Sequence, residues 1–577
     1  MRSLVSYVCL VSILPFLAGF APKAKDSKTK PDAADPVAIT STAKSGKGEL
    51  HIDVTNLVGT NLPARVDLYA RGAKGQPLQQ IDVPKGQITT PSAAGEYTAF
   101  VYVFQDEVPI LVDAVDLSLK PGDTESIAVD LVEGNSPEMP LWRFDQDFDL
   151  ALDRVEIALG TDPTNATSVP GEERFPIKSV VLDKKPGWFR GELHCSSTYG
   201  HGTESVAELI KRAEGMGLDF LAITDRNTMQ ASMDPAFKSN KLILIPAMEW
   251  GDEKRGVALV YCPFTMPRVP GSFNHAQAIC RKVQAQGGVF AAASPLFSDA
   301  PWQWGLTNVN AVEIWCRDYR AVPPLGIDRL DEEYQEMVNG RLAYPIAVAA
   351  ATGDLSANGQ AGLFWDYELM GGMKAGAIGG SRSASPQTPL AKPVTYVYAE
   401  EKSLAGIIDG LRQGRTFVSN GLDGPQILFK ADVKCDGKVD IPLPGGIIPL
   451  HVETQFEVFV QGAPGKKVQV LRNGKTILTK IIEAKNEKEA FAVRFRQTPQ
   501  QYSVYRVRVV EPAKTKGFGA LDVIAQSSPI YAQAMYFGDP DKMWIKIKRN
   551  ELTNEMLRED EAPMFQSREQ ITPDAVF

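Results

Sequence analysis

Hydrophobic positions fall into distinct regimes along the chain. From Glu49 they alternate with polar ones in short runs, as in Leu50-His51-Ile52-Asp53-Val54, Arg65-Val66-Asp67-Leu68-Tyr69 and Tyr97 to Val103, with Gly/Pro turns between them. A period of two in runs this short predicts half-buried strands, and hence an all-β sandwich over 47–135. A β-type connecting segment covers 136–185. From 186 to 424 the pattern changes to continuous apolar strands alternating with helices. Ser205-Val206-Ala207-Glu208 is a capping box, Val206, Leu209, Ile210 and Ala213 recur at helical spacing, and Gly217 closes that helix. Phe220 to Thr224, Leu242 to Pro246, Val257 to Tyr261, Val289 to Ala293, Ala311 to Trp315 and Ala347 to Ala351 read as buried strands. Repeated strand–helix units predict a parallel α/β barrel. Near 425 the alternation returns, and Val468 to Ile477 reads as a hairpin around Asn473-Gly474 inside a second β-sandwich over 425–536.

The flanks lack this patterning. Residues 22–46 are Lys, Asp, Ser, Thr, Ala and Pro with almost no large apolar side chain, which predicts a linker, and 537–577 form a polar tail. In 1–21, Arg2 precedes an apolar run from Leu4 to Phe20, and Gly19 and Ala21 are small residues at cleavage-determining positions. This predicts a signal peptide and an exported chain, periplasmic or secreted, with no membrane span once the signal is cleaved. The run approaches the length of a bilayer span, so an uncleaved anchor is the alternative.

Composition narrows the function classes. At 44% hydrophobic and 23% charged residues the chain is globular rather than disordered or fibrous. A net charge of −9 gives no electrostatic footprint for nucleic acid. Cys9 lies inside the leading apolar run, and Cys195, Cys262, Cys280, Cys316 and Cys435 are widely spaced without a C-x-x-C pair, so they read as core thiols. Five His in the whole chain limit any metal-site reading from the outset.

One acidic stretch resembles a calcium loop in spacing. Asp145, Asp147, Asp149, Asp153 and Glu156 occupy positions 1, 3, 5, 9 and 12, but position 6, where such a loop needs Gly, is Leu150. Phe144, Phe148, Leu150 and Leu152 alternate with the acids, so the stretch is read as a strand with a solvated acidic face, without calcium.

The chemistry concentrates where the central strands end. Gly191-Glu192-Leu193-His194-Cys195-Ser196-Ser197-Thr198-Tyr199-Gly200-His201-Gly202 follows one strand, and Asp219 to Asn227 reads Asp-Phe-Leu-Ala-Ile-Thr-Asp-Arg-Asn. These segments resemble the first motifs of the PHP (polymerase and histidinol phosphatase) superfamily, in its secreted or periplasmic carbaryl-hydrolase-like (CehA/McbA) metallohydrolase branch. The resemblance covers 186–424 and extends weakly to Gly410 to Val418 and to Ser528-Pro529-Ile530-Tyr531. It implies a distorted (β/α)7 TIM-like barrel, here flanked by two β-sandwiches. It also implies up to three divalent metals that generate a hydroxide for phosphoester or ester hydrolysis.

Most of the implied ligands are replaced. His194 stands at the start of the His-x-His motif, whose second position is Ser196. Thr-Asp-His has become Thr224-Asp225-Arg226, the Gly-His after the bridging acid Glu249 is Arg255-Gly256-Val257, His-Pro is Ser294-Pro295, and the final Asp-x-His is Asp354-Leu355-Ser356. Serine hydroxyls are poor substitutes for imidazole, and a guanidinium cannot ligate a cation at all. His194, Glu249 and Asp354 could still hold one divalent metal, Zn or Mn, with His201 as a weak fourth donor. Arg226 could instead pair with Glu249 or Asp354 and stand in for the metal's charge.

Two readings follow. The first is a pseudoenzyme, a PHP-like chain kept for binding or scaffolding without a metal; its partner is left open among a small molecule, a glycan and a protein. The second is a hydrolase that uses a single metal at His194, Glu249 and Asp354. Four further features take structural readings. Cys195 should point away from His194, because successive strand residues face opposite ways. His275 is placed at a helix start capped by Asn274. Trp302, Trp304, Trp315 and Tyr319 are read as packing, with an aromatic ligand platform as the alternative. Gly371 to Gly380 is read as a flexible loop over the barrel mouth.

Overall fold

The structure, a computed structural model, describes residues 46–534 except 57–58, 135–139, 176, 268, 270–271, 298–299, 306–307, 318, 320–344, 346–355 and 514–520. The leader, nearly all of the 22–46 linker, the strand expected at Ala347 to Ala351, Asp354 and the 537–577 tail therefore lie outside the described residues.

The N-terminal alternation becomes two antiparallel-rich sheets. Strand β1 (Lys47–Asn56) lies between β4 (Gln87–Ala93) and β7 (Thr124–Leu131), while β2 (Ala64–Ala70) lies between β3 (Gln79–Val83) and β5 (Gly95–Gln105), which pairs with β6 (Val108–Leu119). Their inward residues, among them Leu50, Ile52, Val66, Leu68, Val101 and Val103, form one core. Period-two patterning places every second side chain on that shared face.

The 145–156 stretch is not a strand. It is a series of bends that enters helix α1 (Asp153–Leu159), and Asp145, Asp147, Asp149 and Glu156 are buried rather than solvated. The alternation misled because the carboxylates turn inward onto backbone N–H groups of their own loop, as where Ala151 N–H donates to Asp149 Oδ1 at 2.8 Å.

After the short strand β8 (Val181–Asp183), the central region carries β9 (Gly187–Cys195), α2 (Val206–Gly215), β10 (Phe220–Ile223), α3 (Gln230–Met233), β11 (Ile243–Asp252), β12 (Gly256–Tyr261), α4 (Phe273–Ala285), β13 (Val289–Ala293), β14 (Ala311–Cys316), α5 (Ala357–Met370), β15 (Gly376–Gly380), β16 (Val394–Ala399), β17 (Lys402–Ser403), α6 (Leu404–Arg412) and β18 (Thr416–Ser419). A (β/α)7 TIM-like barrel is not what forms. The described chain is mostly strand, 43% against 14% helix. Strands β9, β10 and β11 run parallel, as do β13, β14 and β15, but β12 is antiparallel to both β11 and β13, and β16 is antiparallel to β9 and β18. Only residues 253–255 separate β11 from β12, so no crossover helix fits there. The sequence pattern could not show this, because a strand buried on both faces reads as the same apolar run whichever way it is paired.

The sheet continues past β18 into C-terminal strands β26 (Leu521–Ser527), β25 (Ser503–Pro512), β22 (Lys467–Arg472) and β23 (Lys475–Ile481). It also curls, so that β15 is reached by hydroxyls from elsewhere. Thr395 Oγ1 bridges Gly379 N–H and C=O at 2.9 and 2.7 Å, and Thr416 Oγ1 donates to the Ala377 carbonyl at 2.6 Å. This approach explains the glycines. A Cβ on Gly379 would lie 2.6 Å from Val418 Cγ1, and one on Gly380 would lie 2.4 Å from His194 Cβ. Gly376 to Gly380 is thus a buried strand, correcting the flexible loop expected there, since glycine in a strand also marks close packing.

In the C-terminal unit the sheet of β19 (Gln426–Val433), β21 (Thr454–Gln461) and β24 (Phe491–Gln497) shares a core with β22 and β25, including Phe429, Phe456, Val470, Tyr505 and Val507. The β22–β23 turn places Asn473 and Gly474 at φ 50° and 75°, the geometry that makes Asn-Gly a hairpin signal. Arg506 of β25 grips Asp366 of α5 with two bonds of 2.7 and 2.6 Å. Trp302, Trp304 and Trp315 are buried with Trp250, Phe290 and Trp365 in the core, so they offer no ligand platform. No helix among the described residues is long and apolar enough to cross a membrane.

Candidate functional site

The ends of neighbouring strands bring a set of charges together. His194 comes from β9, Arg226 follows β10, Glu249 lies in β11, Ser294 follows β13, Glu313 lies in β14 and Arg382 follows β15. His194 is buried; its Nδ1 is 2.8 Å from Glu313 Oε1 and its Nε2 is 3.6 Å from Glu249 Oε1. Burial opposes charging the ring, but the flanking carboxylates of Glu313 and Glu249 override it, and His194 is pushed up to about 9. It is therefore an imidazolium at neutral pH.

Glu249 is the hub. Arg226 Nε donates to its Oε2 at 2.6 Å, and a bridge between the Arg226 and Glu249 backbones fixes that approach. On its other oxygen, Arg382 lies 3.7 Å away. Burial alone would raise this carboxyl, yet His194, Arg382 and Arg226 together hold it well below the usual carboxylate range.

Each described serine that stands where the PHP resemblance would place a ligand has a protein partner. Ser196 Oγ donates to Asp225 Oδ1 at 2.7 Å, and Ser197 holds the same carboxylate through its N–H and hydroxyl. Ser294 Oγ donates to Glu313 Oε2 at 2.5 Å. Ser356 caps α5, its side chain accepting Gly359 N–H at 3.0 Å. His201 is exposed, and its contact with this region is a backbone N–H donated to Ser196 Oγ at 3.0 Å. Asp354 lies outside the described residues. Cys195 faces away, its thiol donating to the Ala222 carbonyl at 3.4 Å within the core of α2 and β10. His275 is the third residue of α4, whose N-cap is Ser272 rather than Asn274: its N–H donates to Ser272 Oγ at 3.2 Å.

Sequence reasoning missed three participants. Glu313 is a charge in the middle of the buried strand Ala-Val-Glu-Ile-Trp-Cys, an oddity that could have been found by asking what pairs with it. Glu192, also fully buried, accepts the N–H groups of Leu193, His194, Ser381 and Ala391, so it anchors His194 and the β15 exit together. Arg382 left no signal, because only the curl of the sheet carries it to Glu249.

His194, Glu313 and Cys316 place ligand atoms within 4.8 Å of one another, so a metal-capable group exists. Its chemistry is poor for that use as it stands. Burial, then the charge of Glu313, pushes the Cys316 thiol well above its ordinary value and keeps it protonated. The multi-metal arrangement implied by the PHP resemblance does not fit these residues, because two guanidinium groups stand beside its bridging acid and its serines are spent on protein hydrogen bonds.

No family model matches the sequence, and no curated protein matches it. Solved structures similar to the chain include a two-domain protein with a predicted PHP-like metal-dependent phosphoesterase from Bacteroides vulgatus, 12% identical, spanning 61% of this chain and 99% of that one at a TM-score of 0.29. A second is a putative metal-dependent phosphoesterase from Bifidobacterium adolescentis, 12% identical, spanning 35% and 90% at a TM-score of 0.19. A third is the CARDB domain of a Pyrococcus furiosus protein, 17% identical, spanning 19% and 94% at 0.12. TM-scores this low carry no inference about the site, which stands on its own geometry.

Proposed function

We propose that the chain is an exported, non-catalytic binding or scaffold protein of PHP-like, CehA/McbA-type ancestry, in which protein charges have replaced the metals of a hydrolytic site. The observation that supports this most directly is the 2.6 Å bond from Arg226 Nε to Glu249 Oε2. A bridging carboxylate held by a guanidinium has its charge balanced without a metal, and a second guanidinium and an imidazolium complete the balance. Among the described residues, Ser196 and Ser294 each donate their hydroxyl to a carboxylate, Asp225 and Glu313, that also holds other parts of the fold.

One observation favours the other reading, a hydrolase with a single Zn or Mn. Glu249 Oε1 has no hydrogen-bond partner among the described residues, and it faces His194 Nε2 at 3.6 Å. Elemental mass spectrometry of protein grown with Zn and Mn, joined to an assay with bis(p-nitrophenyl) phosphate, separates the two. Folded protein without Zn or Mn and without turnover supports the scaffold. Stoichiometric metal that disappears in Glu249→Ala, with turnover, overturns it in favour of the hydrolase.

A further inference from the structure

The acidic bends before α1 play no part in the site above, yet they gather the densest set of buried carboxylates described. Asp145, Asp147 and Asp149 bring one oxygen each to within 4.8 Å of one another. The spacing of Asp145, Asp147, Asp149, Asp153 and Glu156 is 1, 3, 5, 9 and 12 of a calcium loop, in which position 7 contributes a backbone carbonyl and position 12 a bidentate glutamate. Ala151 stands at position 7.

A second observation points to a cation. Glu156 is 0% exposed, and neither of its carboxylate oxygens has a hydrogen-bond partner among the described residues. Asp147 Oδ2 and Asp149 Oδ2 are buried and unpartnered too. Glu156 sits in the first turn of α1, the helix these bends enter, so it follows the three aspartates on the same stretch of chain. Buried acceptors in this number need either protons or a cation.

Leu150 stands where a calcium loop has its glycine, and the backbone accommodates it there. Leu150 has φ 73°, the left-handed conformation that Gly would supply. The turn is imposed by its surroundings. Leu111 of β6 donates to the Leu150 carbonyl at 2.9 Å and accepts from Leu152 N–H at 3.0 Å. Inside the bend, Leu150 N–H donates to Asp145 Oδ2 at 3.0 Å and Gln146 N–H to Asp153 Oδ1 at 2.8 Å. The nearby ammonium of Lys282 lies 2.9 Å from Glu172 and also acts on Asp149 and Asp147, so it sets one positive charge against a cluster of four carboxylates. Asp149 and Ala151 line a cavity of about 410 Å³, which gives an ion a route in.

We propose that Asp145, Asp147, Asp149 and Glu156, with Asp153 and the Ala151 carbonyl completing the shell, form a structural calcium site that ties the N-terminal sandwich to α1. An all-oxygen, carboxylate-rich set without His or Cys suits calcium rather than zinc.

The test uses the full chain. Titration calorimetry with CaCl2 on chelator-stripped protein should show about one equivalent bound, and the Tm should rise with the logarithm of calcium and fall in EGTA. Glu156→Gln and, should that variant fail to fold, Asp147→Asn should lose at least tenfold in calcium affinity. Glu249→Gln, at the other site, should bind calcium as the wild type does. A folded wild type that takes up no calcium and melts identically in calcium and EGTA would overturn the site and leave a proton-sharing carboxyl cluster. So would undiminished binding by both variants. Because the metals and the variants differ, neither outcome bears on the Zn or Mn question at Glu249.

Discussion

Arg226 Nε stands 2.6 Å from Glu249 Oε2, and the two residues are also bridged through their backbones. The side chains are 17% and 6% exposed, so this is an ion pair largely withdrawn from water. Its geometry makes the charge at residue 226 part of the fold.

Arg226→Ala should therefore destabilise the chain by about 3 kcal/mol, the low end for stranding one partner of a buried pair, because Arg382 and His194 still face Glu249. Adding Glu249→Ala should recover part of that loss, since no buried carboxylate is then left uncompensated. Chemical denaturation of the two variants checks this. An unchanged unfolding midpoint in Arg226→Ala would remove the charge-replacement argument.

The His194 ion pairs predict a pH profile. Its folded value is raised to about 9 from an ordinary 6.5, so its contribution is fully present below 6.5 and is lost as pH climbs through 9. The loss should be on the order of 3 kcal/mol. Glu249 is shifted the other way, so its contribution holds above the ordinary glutamate range and fades only in strong acid. The difference in stability between wild type and His194→Gln should shrink between pH 6.5 and 9. A difference that stays constant across that window counts against the imidazolium.

Gly380→Ala should be poorly tolerated, because its Cβ would sit 2.4 Å from that of His194. We expect a loss of about 3 kcal/mol from overpacking. Gly362→Ala is the control: in mid-α5 its Cβ meets nothing within 4 Å, and a gain of about 0.5–1 kcal/mol is expected from helix propensity. Thermal melts of both variants decide whether the glycines near β15 are packing requirements.

Asp366 and Arg506 tie α5 to β25 through a fork that is 7% and 4% exposed. Asp366→Ala should cost about 3–5 kcal/mol by leaving the Arg506 guanidinium buried and unpaired. Limited proteolysis should then cut β25 far faster than in the wild type. Equal rates would show that the pair is dispensable.

What could be read in advance follows the range of each signal. Local rules located the strands of the N-terminal sheets, the capping box of α2 and the Asn473-Gly474 hairpin, because alternation, capping and turn chemistry act within a few residues. His194, Glu249 and Arg226 were singled out by motif, and the structure brings those three side chains together. Strand direction at β12 and β16 was hidden, since burial on both faces erases the alternation that would betray pairing.

The sequence by itself determined where most of the alternating and apolar strands lie, where the Asn473-Gly474 turn falls and which residues stand where the PHP resemblance expects His, all properties of near neighbours in the chain. Only the tertiary structure decided that Glu313 faces His194 across 119 positions, that Arg382 reaches Glu249, and that the acids of 145–156 turn inward. Electrostatic partnership depends on distance through space, and that distance is set when a curled sheet packs, not by order along the chain.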